Sequence, residues 1–328
     1  MASSRPGERG AALLTILLLV AVIAVIAAGA LEKMRLATRL GANAIALDQA
    51  RAYAMATETL ATTRIDAILS RDAARVTLAG GWSGTPFALP IPQGVATATI
   101  TDGGNCFNLN GLVVEESRGI YRSRAAAVME FSRLMRLLGI TQQTGSAIAA
   151  ATADWIDSDG DAQPQGAEDA RYARSTQAYR TANTLMADAS ELRSVSGVTP
   201  EIFATLAPWV CAQPRAVPSR INVNTLLPEQ AVLLAMIFPD TLDIGRARQV
   251  LLERPPQGFT STLEFLQRPA LQGATAGPDV QQQTAITTTW FTLRTEVALG
   301  GVALSQRALI DARQQPSTIV ARAWEDPA

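Results

Sequence analysis

Residues 8–40 read ERGAALLTILLLVAVIAVIAAGALEKMRLATRL, and their main feature is the uncharged apolar run Ala11–Leu31. A helix of about 20 apolar residues matches the hydrocarbon thickness of a bilayer, so the run is long enough to span a membrane. A secretory signal peptide is the alternative, because arginines precede the run and Ala28-Gly29-Ala30 is an acceptable cleavage site. The run alone does not decide between these two interpretations.

The segment that follows, residues 31–71, favours an anchor. It contains no proline, is rich in Ala, Leu, Arg and Glu, and repeats its apolar residues at helical spacing. One helix from Ala11 to Ser70 would be about 90 Å long, with a lipid-soluble first third and an amphipathic remainder. A signal peptide has no reason to continue into such a helix. We therefore predict a membrane anchor that continues into a long helical stem.

The composition removes several classes of enzyme. The 328 residues include no histidine, which excludes Ser-His-Asp and Cys-His catalysis and histidine-ligated zinc. The formal net charge is −1, so broad electrostatic binding of nucleic acid is not expected. Asp157 or Asp154 with Glu168 would suit a glycosidase acid–base pair, but aromatic residues for binding a sugar make up only 5% of the chain. We predict that the protein is not an enzyme.

Two strand-rich regions flank a helical middle. Residues 95–113 alternate apolar and polar side chains and predict a hairpin or strand pair that turns at Asp102-Gly103-Gly104. Near the C-terminus, alternation predicts three strands around Phe291–Val297, Val302–Ala312 and Ile319–Ala323. About 170 mostly helical residues lie between the two regions, far more than a loop holds. We expect the flanking strands to complete one sheet that packs on the end of the stem.

The start of the chain resembles the N-terminus of type IV pilins and pseudopilins. A basic leader ends at Gly10 and an apolar helix follows, in the stretch RGAALLTILLLV (9–20). The resemblance implies that a prepilin peptidase cuts between Gly10 and Ala11 on the cytoplasmic side and methylates the new terminus. Thr15 stands at the fifth mature position, where the family normally has a glutamate that neutralises the buried terminal amine of a neighbouring subunit. The K-type minor pseudopilin of type II secretion lacks this glutamate, and the chain is identified as a member of that family.

The missing carboxylate implies a place at the tip of a pseudopilus. A buried ammonium without an anionic partner is costly, so a subunit with Thr15 would not dock beneath another but would come first. The resemblance implies I-type and J-type minor pseudopilins as partners at the tip, together with other pseudopilins, the inner-membrane assembly platform and the prepilin peptidase. It also implies a single-pass inner-membrane protein with a periplasmic globular part that helps to initiate assembly for protein export. No nucleic acid partner is expected.

The resemblance covers nearly the whole chain, with CFNLNGL (106–112), DWIDSDGD (154–161) and RINVNTLLPEQ (220–230) as landmarks. It implies an α+β fold, in which a pilin-like long N-terminal helix packs on an antiparallel sheet with a large inserted helical domain. The predicted parts are a leader (1–10), the stem (11–71, with 11–31 transmembrane), a sheet domain (72–111 and 285–325), an inserted helical domain with a calcium loop (112–218) and a second helical subdomain, SAM-like or helix-hairpin-helix-like (219–284).

Residues 157–168 carry carboxylates at the spacing of an EF-hand calcium loop. Asp157, Asp159 and Asp161 take positions one, three and five, and Glu168 takes position twelve. Carboxylates this close repel one another unless a cation lies among them, so we predict a structural Ca²⁺ site with Asp169 as an extra ligand. The resemblance adds support, because K-type pseudopilins are calcium binders.

The acidic loop also departs from the EF-hand pattern. Ala162 replaces the glycine of position six, and Pro164 at position eight cannot donate a backbone hydrogen bond to a paired loop. We expect a single loop of similar local geometry, with Asp154 capping or orienting the turn. The alternative is a solvated acidic turn ahead of a helix.

Cys106 and Cys211 are the two cysteines of the chain. In an intracellular protein they would be small buried hydrophobes, but behind a membrane-targeting segment a disulfide is the better interpretation. It would close a loop of about 100 residues and contribute at most about 4–5 kcal/mol in the chain-entropy model. The predicted disulfide and the resemblance, rather than the charges around the apolar run, place the N-terminus in the cytoplasm.

The stretch RINVNTLLPEQAVLLAMIF (220–238) also resembles the opening of helix-hairpin-helix DNA-binding modules. Such modules bind phosphate through a glycine-rich hairpin, whereas residues 238–245 hold two aspartates and one glycine. Arg246, Arg248 and Arg254 are the cations that remain nearby. A strand end followed by an asparagine-stabilised helix start explains INVNT without DNA, so a membrane-anchored DNA-binding protein is the second choice.

Overall fold

The chain begins with one unbroken helix, α1, which spans Pro6–Arg71 and has 66 residues. The computed structural model describes residues 6–174 and 178–325, with side chains from Ala11 onward. The apolar start of α1 has a mean hydropathy of 3.1 over 18 residues, none of them buried, so its length and composition allow a membrane span. The predicted continuous stem is confirmed.

The strands that follow the stem are, in chain order, β1 (Phe87–Ile91), β2 (Gly94–Asp102), β3 (Phe107–Asn108), β4 (Val113–Ser117), β5 (Ile120–Ser123), β6 (Val210–Cys211), β7 (Ile221–Asn222), β8 (Thr284–Ala285), β9 (Trp290–Leu299), β10 (Val302–Asp311) and β11 (Thr318–Glu325). An antiparallel sheet has the order β1-β2-β9-β10-β11, so strands from both ends of the chain complete it. Short pairs join β3 with β6, β4 with β5 and β7 with β8. The sheet and its three C-terminal strands are confirmed.

The hairpin predicted at Asp102-Gly103-Gly104 is wrong. Strand β2 pairs with the preceding β1 through a turn at Gln93, whose φ is 63°, and the chain leaves the sheet after Asp102. Gly103 is needed for close packing, because a Cβ there would lie 2.9 Å from the carbonyl carbon of Phe291. The glycine pair therefore marks a close approach of two backbone segments rather than a reversal of the chain.

The second half of the stem packs on one face of the sheet. Ala50, Ala54, Ala61 and Ile65 recur at helical spacing and are fully buried. Strand β9 alternates buried and exposed residues along its length, as a sheet with one covered face requires. The small alanine side chains let the helix axis lie close to the strands, so tertiary packing holds this part of the stem.

Residues 103–289 form the helical region, which enters after β2 and returns at β9. Its α-helices are α2 (Ala125–Leu137), α3 (Gln142–Ile156), α4 (Asp169–Tyr172), α5 (Pro200–Leu206), α6 (Ala231–Ala235), α7 (Ile244–Leu252), α8 (Thr262–Leu266) and α9 (Val280–Gln283). Short 3₁₀ turns connect several of them.

A single apolar core runs through the helical region, from Phe107 to Val280. It crosses the division predicted between residues 218 and 219, because side chains from both predicted parts, such as Phe131 and Phe265, belong to it. It also takes residues 107–111 out of the predicted sheet domain. The insertion is thus one packed body, in which short elements that cannot bury an apolar face alone share a common interior.

A disulfide joins Cys106 to Cys211, with their Cα atoms 5.8 Å apart. It lies beside the parallel pair of β3 and β6, where Asn108 is opposite Cys211. The cross-link ties the start of the helical region to a segment 105 residues later, and the predicted pairing is confirmed.

Candidate metal centre

The acidic loop follows directly on α3. That helix ends at Ile156, and Asp157 is its C-terminal cap in an extended conformation. The carboxylates of Asp157, Asp159 and Glu168 each offer an oxygen that lies within 4.8 Å of the others. Asp157 and Glu168 are buried and Asp159 is exposed, so the group is enclosed by protein on one side and open to solvent on the other.

Asp154 shapes the loop from the last turn of α3. Its fully buried carboxylate accepts hydrogen bonds from Gln163 N–H (3.2 Å), Gln163 Nε2 (2.8 Å) and Ala167 N–H (2.8 Å). Gly166 passes so close to it that a Cβ at this position would lie 1.9 Å from Asp154 Oδ2. Asp154 therefore orients the turn, and the loop requires glycine at position 166.

Two buried oxygens of the group lack a hydrogen-bond partner among the described residues, Asp157 Oδ1 and Glu168 Oε1. Buried polar atoms are nearly always paired, so these two point to an ion as their partner. Burial raises the pKa of Asp157 to about 7, and repulsion by Asp159 adds to it. Burial likewise raises the pKa of Glu168 to about 7, with repulsion by Asp154 as the next cause. A hard divalent cation would offset both effects, so this set of oxygen donors fits one.

The structure brings together three of the five predicted ligands, and Asp161 and Asp169 lie outside the group. Asp161 N–H donates to Asp159 Oδ1 at 2.9 Å and so orients that carboxylate. Asp169 accepts hydrogen bonds from Thr181 Oγ1 (2.9 Å) and Thr181 N–H (3.0 Å), and these bonds lower its pKa. In this geometry the two residues support the loop from within and from its far end.

Aromatic side chains pack beside the acidic loop. The ring centroid of Trp155 lies 5.3 Å from that of Tyr172 and 6.1 Å from that of Tyr179. Trp155 is buried and precedes Asp157 by two residues. Its fluorescence is therefore a local reporter of the site.

The predicted processing site lies in the first turns of α1. Gly10 and Ala11 are both helical, and Thr15 is exposed on the apolar part of the stem. Thr15 Oγ1 donates to Ala11 O at 2.6 Å, so its hydroxyl proton is used within the helix. Thr15 thus offers neither a negative charge nor an unused donor to a neighbouring helix.

The arginines of the helix-hairpin-helix alternative are used inside the fold. Arg246 donates to three carbonyl oxygens at 2.8–3.3 Å, and Arg254 donates to two at 2.7 and 3.0 Å. Asp243 caps the N-terminus of α7, where a phosphate would bind in such a module. Of the three candidate arginines Arg248 remains exposed, next to a carboxylate-capped helix that repels an anion.

A set of buried asparagines joins distant parts of the helical region, and we did not predict this role from the sequence. Asn110 is fully buried and bonds Met186 O (2.9 Å), Gln213 O (2.8 Å) and Met186 N–H (2.8 Å). A buried asparagine in an apolar stretch needs such partners, so the repeated asparagines of CFNLNGL and INVNT were the available signal. The other asparagines that bond buried backbone groups in this way are Asn108, Asn222 and Asn224.

Known proteins of one family match this chain over most of its length. Models of the family described as type II secretion system (T2SS), protein K, match residues 105–215 and 221–289. The type II secretion system protein K of Pectobacterium carotovorum subsp. carotovorum is 35% identical over 327 residues, which cover 98% of this chain and 97% of that protein. The protein of the same name from Klebsiella pneumoniae is 33% identical over 330 residues, which cover 97% of this chain and 96% of that protein.

A solved structure shares the fold. A chain in the crystal structure of the GspK–GspI–GspJ complex from the type 2 secretion system of enterotoxigenic Escherichia coli matches with a TM-score of 0.74 and 28% identity. The match covers 85% of this chain and 97% of that chain. Sequence and fold agree on one assignment, and the predicted family is confirmed. The chain belongs to the type II secretion system protein K family and is a minor pseudopilin of that system.

Proposed function

We propose that this chain is the tip subunit of the pseudopilus, where it binds I-type and J-type minor pseudopilins and helps to initiate assembly for export. The observation that carries the proposal is the position of the helical region. Residues 103–289 are inserted between β2 and β9 of the sheet that packs on the stem. A body of this size above the sheet would obstruct another subunit in line with the stem.

The helical region leaves the sheet at the end that lies farther from the apolar run. At that end, Ile100 and Phe291 share a core cluster with Ile65 of the stem. At the opposite end, Leu299 packs with Ala50, which is nearer the apolar run. The insertion therefore extends the molecule away from the membrane, as a cap requires.

Thr15 supplies an electrostatic reason for the same position. Threonine has no carboxylate that could neutralise the terminal amine of a subunit above, and its hydroxyl donates to Ala11 O within the helix. An unneutralised amine in the apolar layer disfavours that arrangement. The size of the helical region and the missing carboxylate at Thr15 both favour the first place in the assembly.

The free part of the stem offers a surface for the partners. Leu36, Leu40 and Ile45 lie beyond the apolar run and are 57%, 61% and 62% exposed. Apolar side chains at this level are typical of helices that pack against other helices. The complex matched above contains GspI and GspJ, which supports the I-type and J-type proteins as the partners here.

Co-purification tests the tip proposal. The full chain, produced with I-type and J-type pseudopilins and extracted in detergent, should yield a complex with one copy of each protein by native mass spectrometry. Several copies of this chain in one assembly, or no complex, would contradict it. The DNA-binding alternative predicts instead that the purified chain retains duplex DNA at physiological salt.

We also propose that a prepilin peptidase cuts between Gly10 and Ala11 and that the globular part is periplasmic. The disulfide between Cys106 and Cys211 supports an oxidising location for that part. Mass spectrometry of the mature protein should find N-methylated Ala11 at the N-terminus. Cleavage after Ala30 would instead indicate a secreted protein without its anchor.

We propose Ca²⁺ as the ion of the acidic loop, held by Asp157, Asp159 and Glu168. Its role is structural: it would neutralise buried carboxylates and fix the loop. Calcium should raise the melting temperature of the full chain in detergent, and chelation should reverse the rise. Tb³⁺, which substitutes for Ca²⁺, should show emission that is sensitised by Trp155 and lost in Trp155→Phe.

A matched pair of variants separates the ligands from their neighbours. Asp159→Ala should abolish the calcium-dependent rise in melting temperature, because Asp159 belongs to the three-carboxylate group. Asp161→Ala should keep part of the rise in melting temperature. The residue contributes its backbone N–H to Asp159, and alanine keeps that N–H. Calcium-independent melting of the parent chain would overturn the metal assignment.

A further inference from the structure

The hairpin of β4 and β5 lies next to the acidic loop and is largely exposed. Its residues 114–120 are all exposed, and the two strands pair with each other and with no third strand among the described residues. An isolated two-stranded hairpin is marginally stable in water. Something outside the hairpin must therefore hold it in place.

Ser158 of the acidic loop supplies that contact. Ser158 N–H donates to Tyr121 O at 2.9 Å, and Tyr121 N–H donates to Ser158 Oγ at 2.9 Å. The backbone N–H and the carbonyl oxygen of Tyr121 thus both bond Ser158 of the loop. Tyr121 is half-buried against the core of the helical region, whereas its neighbours Ile120 and Arg122 are exposed.

Ser158 lies between two members of the carboxylate group, Asp157 and Asp159. Its backbone cannot move without moving both of them. Conversely, whatever fixes the two carboxylates fixes Ser158. We propose that a cation bound by the acidic loop positions the β4–β5 hairpin through Ser158, so that binding of the ion is transmitted to an exposed surface of the protein.

The proposal rests on the metal assignment and adds a mechanical consequence to it. Without a cation, Asp157, Asp159 and Glu168 repel one another across less than 4.8 Å, and the loop relieves the repulsion by spreading. Ser158 then leaves Tyr121, and the hairpin loses both hydrogen bonds that hold β5 to the rest of the region. With a cation the carboxylates converge, and the paired geometry is restored.

The hairpin exposes apolar and charged side chains. Val114 and Ile120 are exposed apolar side chains, and Arg122 forms an ion pair with Glu116 across the turn. Ordering this element fixes the relative position of those groups. The cation thereby acts on a surface that contains none of its ligands.

Hydrogen exchange on the full chain in detergent tests the coupling. In calcium the amide of Tyr121, resolved by electron-transfer fragmentation, should exchange at least about tenfold more slowly than in EGTA. The amides around Gly300-Gly301, in the turn of β9 and β10, have no contact with the acidic loop and should exchange alike in both conditions.

Variants at position 158 separate this inference from the metal assignment. Ser158→Ala removes the acceptor for Tyr121 N–H and no carboxylate, so calcium should still raise the melting temperature while protection of Tyr121 is lost. Ser158→Thr keeps the hydroxyl and should restore the protection. Asp159→Ala should lose both effects.

The outcomes distinguish two failures. If calcium stabilises the chain but leaves exchange at Tyr121 unchanged, the coupling is wrong and the metal site stands. If calcium neither stabilises the chain nor protects Tyr121, both assignments fall.

Discussion

The stem with its sheet and the helical region are stabilised in different ways. In the stem and sheet, long elements bury repeated apolar positions, such as Ala54 and Ala61 of the helix against alternating residues of β9. In the helical region, α-helices as short as four residues and strands of two residues surround the core. There the backbone is held by side chains such as Asn110, by a disulfide and by the acidic loop.

This contrast teaches where a single side chain matters most. A long periodic contact distributes stability over many similar positions, so each contributes a modest share. A short element cannot satisfy its own backbone or bury its own face, and it depends on a few specific long-range bonds. Substitutions of polar residues should therefore be more damaging in the helical region than in the stem and sheet.

Asn110→Ala should give the largest loss. The substitution leaves two carbonyl oxygens and one N–H of Met186 and Gln213 without partners in a fully buried site. We expect the free energy of unfolding to fall by about 3–5 kcal/mol, measured by denaturant unfolding with the disulfide intact. Asn43→Ala, at an exposed stem position, is the control and should change it little. A loss for Asn110→Ala as small as that of the control would contradict the comparison.

Arg322→Ala probes the strongest polar contact between stem and sheet. Arg322 of β11 donates to both carboxylate oxygens of Glu58, at 2.6 and 2.8 Å, and Glu58 is only 5% exposed. Removing the arginine leaves the buried carboxylate with Gln306 as its remaining partner. Because Arg322 itself is half-exposed, we expect a loss of about 2 kcal/mol, less than for Asn110→Ala.

The exposed ion pair of Arg51 with Asp48 supplies the control for this measurement. Its nitrogen and oxygen are 3.3 Å apart and both side chains are largely solvated. Arg51→Ala should lower the free energy of unfolding by less than about 0.5 kcal/mol. Equal losses for Arg322→Ala and Arg51→Ala would show that burial of Glu58 does not matter.

Gly166→Ala tests how tightly the acidic loop is built. A Cβ at 166 collides with Asp154 Oδ2, whereas a Cβ at Gly160 of the same loop meets nothing within 4 Å. We expect Gly166→Ala to lower the melting temperature, by an amount equivalent to about 1–2 kcal/mol, and to weaken calcium binding. Gly160→Ala should leave both quantities near the parent values, and a reversed order would mean that the loop is arranged differently.

Glu130→Gln should change stability in the opposite direction, as a gain that depends on pH. Burial raises the pKa of Glu130 to about 7 from 4.5, against the opposing effects of Gln283, Arg133 and Arg124, while Asp279 raises it further. The folded state therefore holds a proton that the unfolded state releases, and stability is lost as pH rises from about 4.5 through 7. Glutamine removes this loss, so the variant should be more stable than the parent by at most about 3 kcal/mol at pH 8 and similar to it at pH 4.

Glu229→Gln, at an exposed position, is the matched control for the pH series. Its stability relative to the parent should not depend on pH. If Glu130→Gln shows the same pH-independent difference, the carboxyl of Glu130 is not protonated in the folded state.

Helices and strands were predicted correctly from the sequence where their apolar pattern repeats over a long stretch. The apolar run, its helical continuation and the three C-terminal strands were all predicted, because each repeats its signal over five residues or more. The Asp102-Gly103-Gly104 hairpin failed because a glycine needed for contact with Phe291 looks the same in sequence as a glycine needed for a turn. The sequence did not show that the two sides of residue 218 share one core, because such sharing leaves no mark in the local pattern.

The candidate metal centre was also predicted only in part. The spacing of carboxylates in residues 157–168 located the loop, and Asp154 was correctly given an orienting role. The spacing did not show that the carboxylates of Asp161 and Asp169 lie outside the group, nor that Asp169 instead accepts hydrogen bonds from the distant Thr181.

The sequence by itself determined the long stem, the sheet strands β2, β9, β10 and β11, the membership of the family and the place of the acidic loop. These follow from periodicity, spacing and a short N-terminal signature, all of which are local. The tertiary structure decided which three carboxylates converge, which asparagines join segments about a hundred residues apart, and that Ser158 connects the loop to a hairpin. Those features depend on distances between residues far apart in the chain, and only the packed core sets such distances.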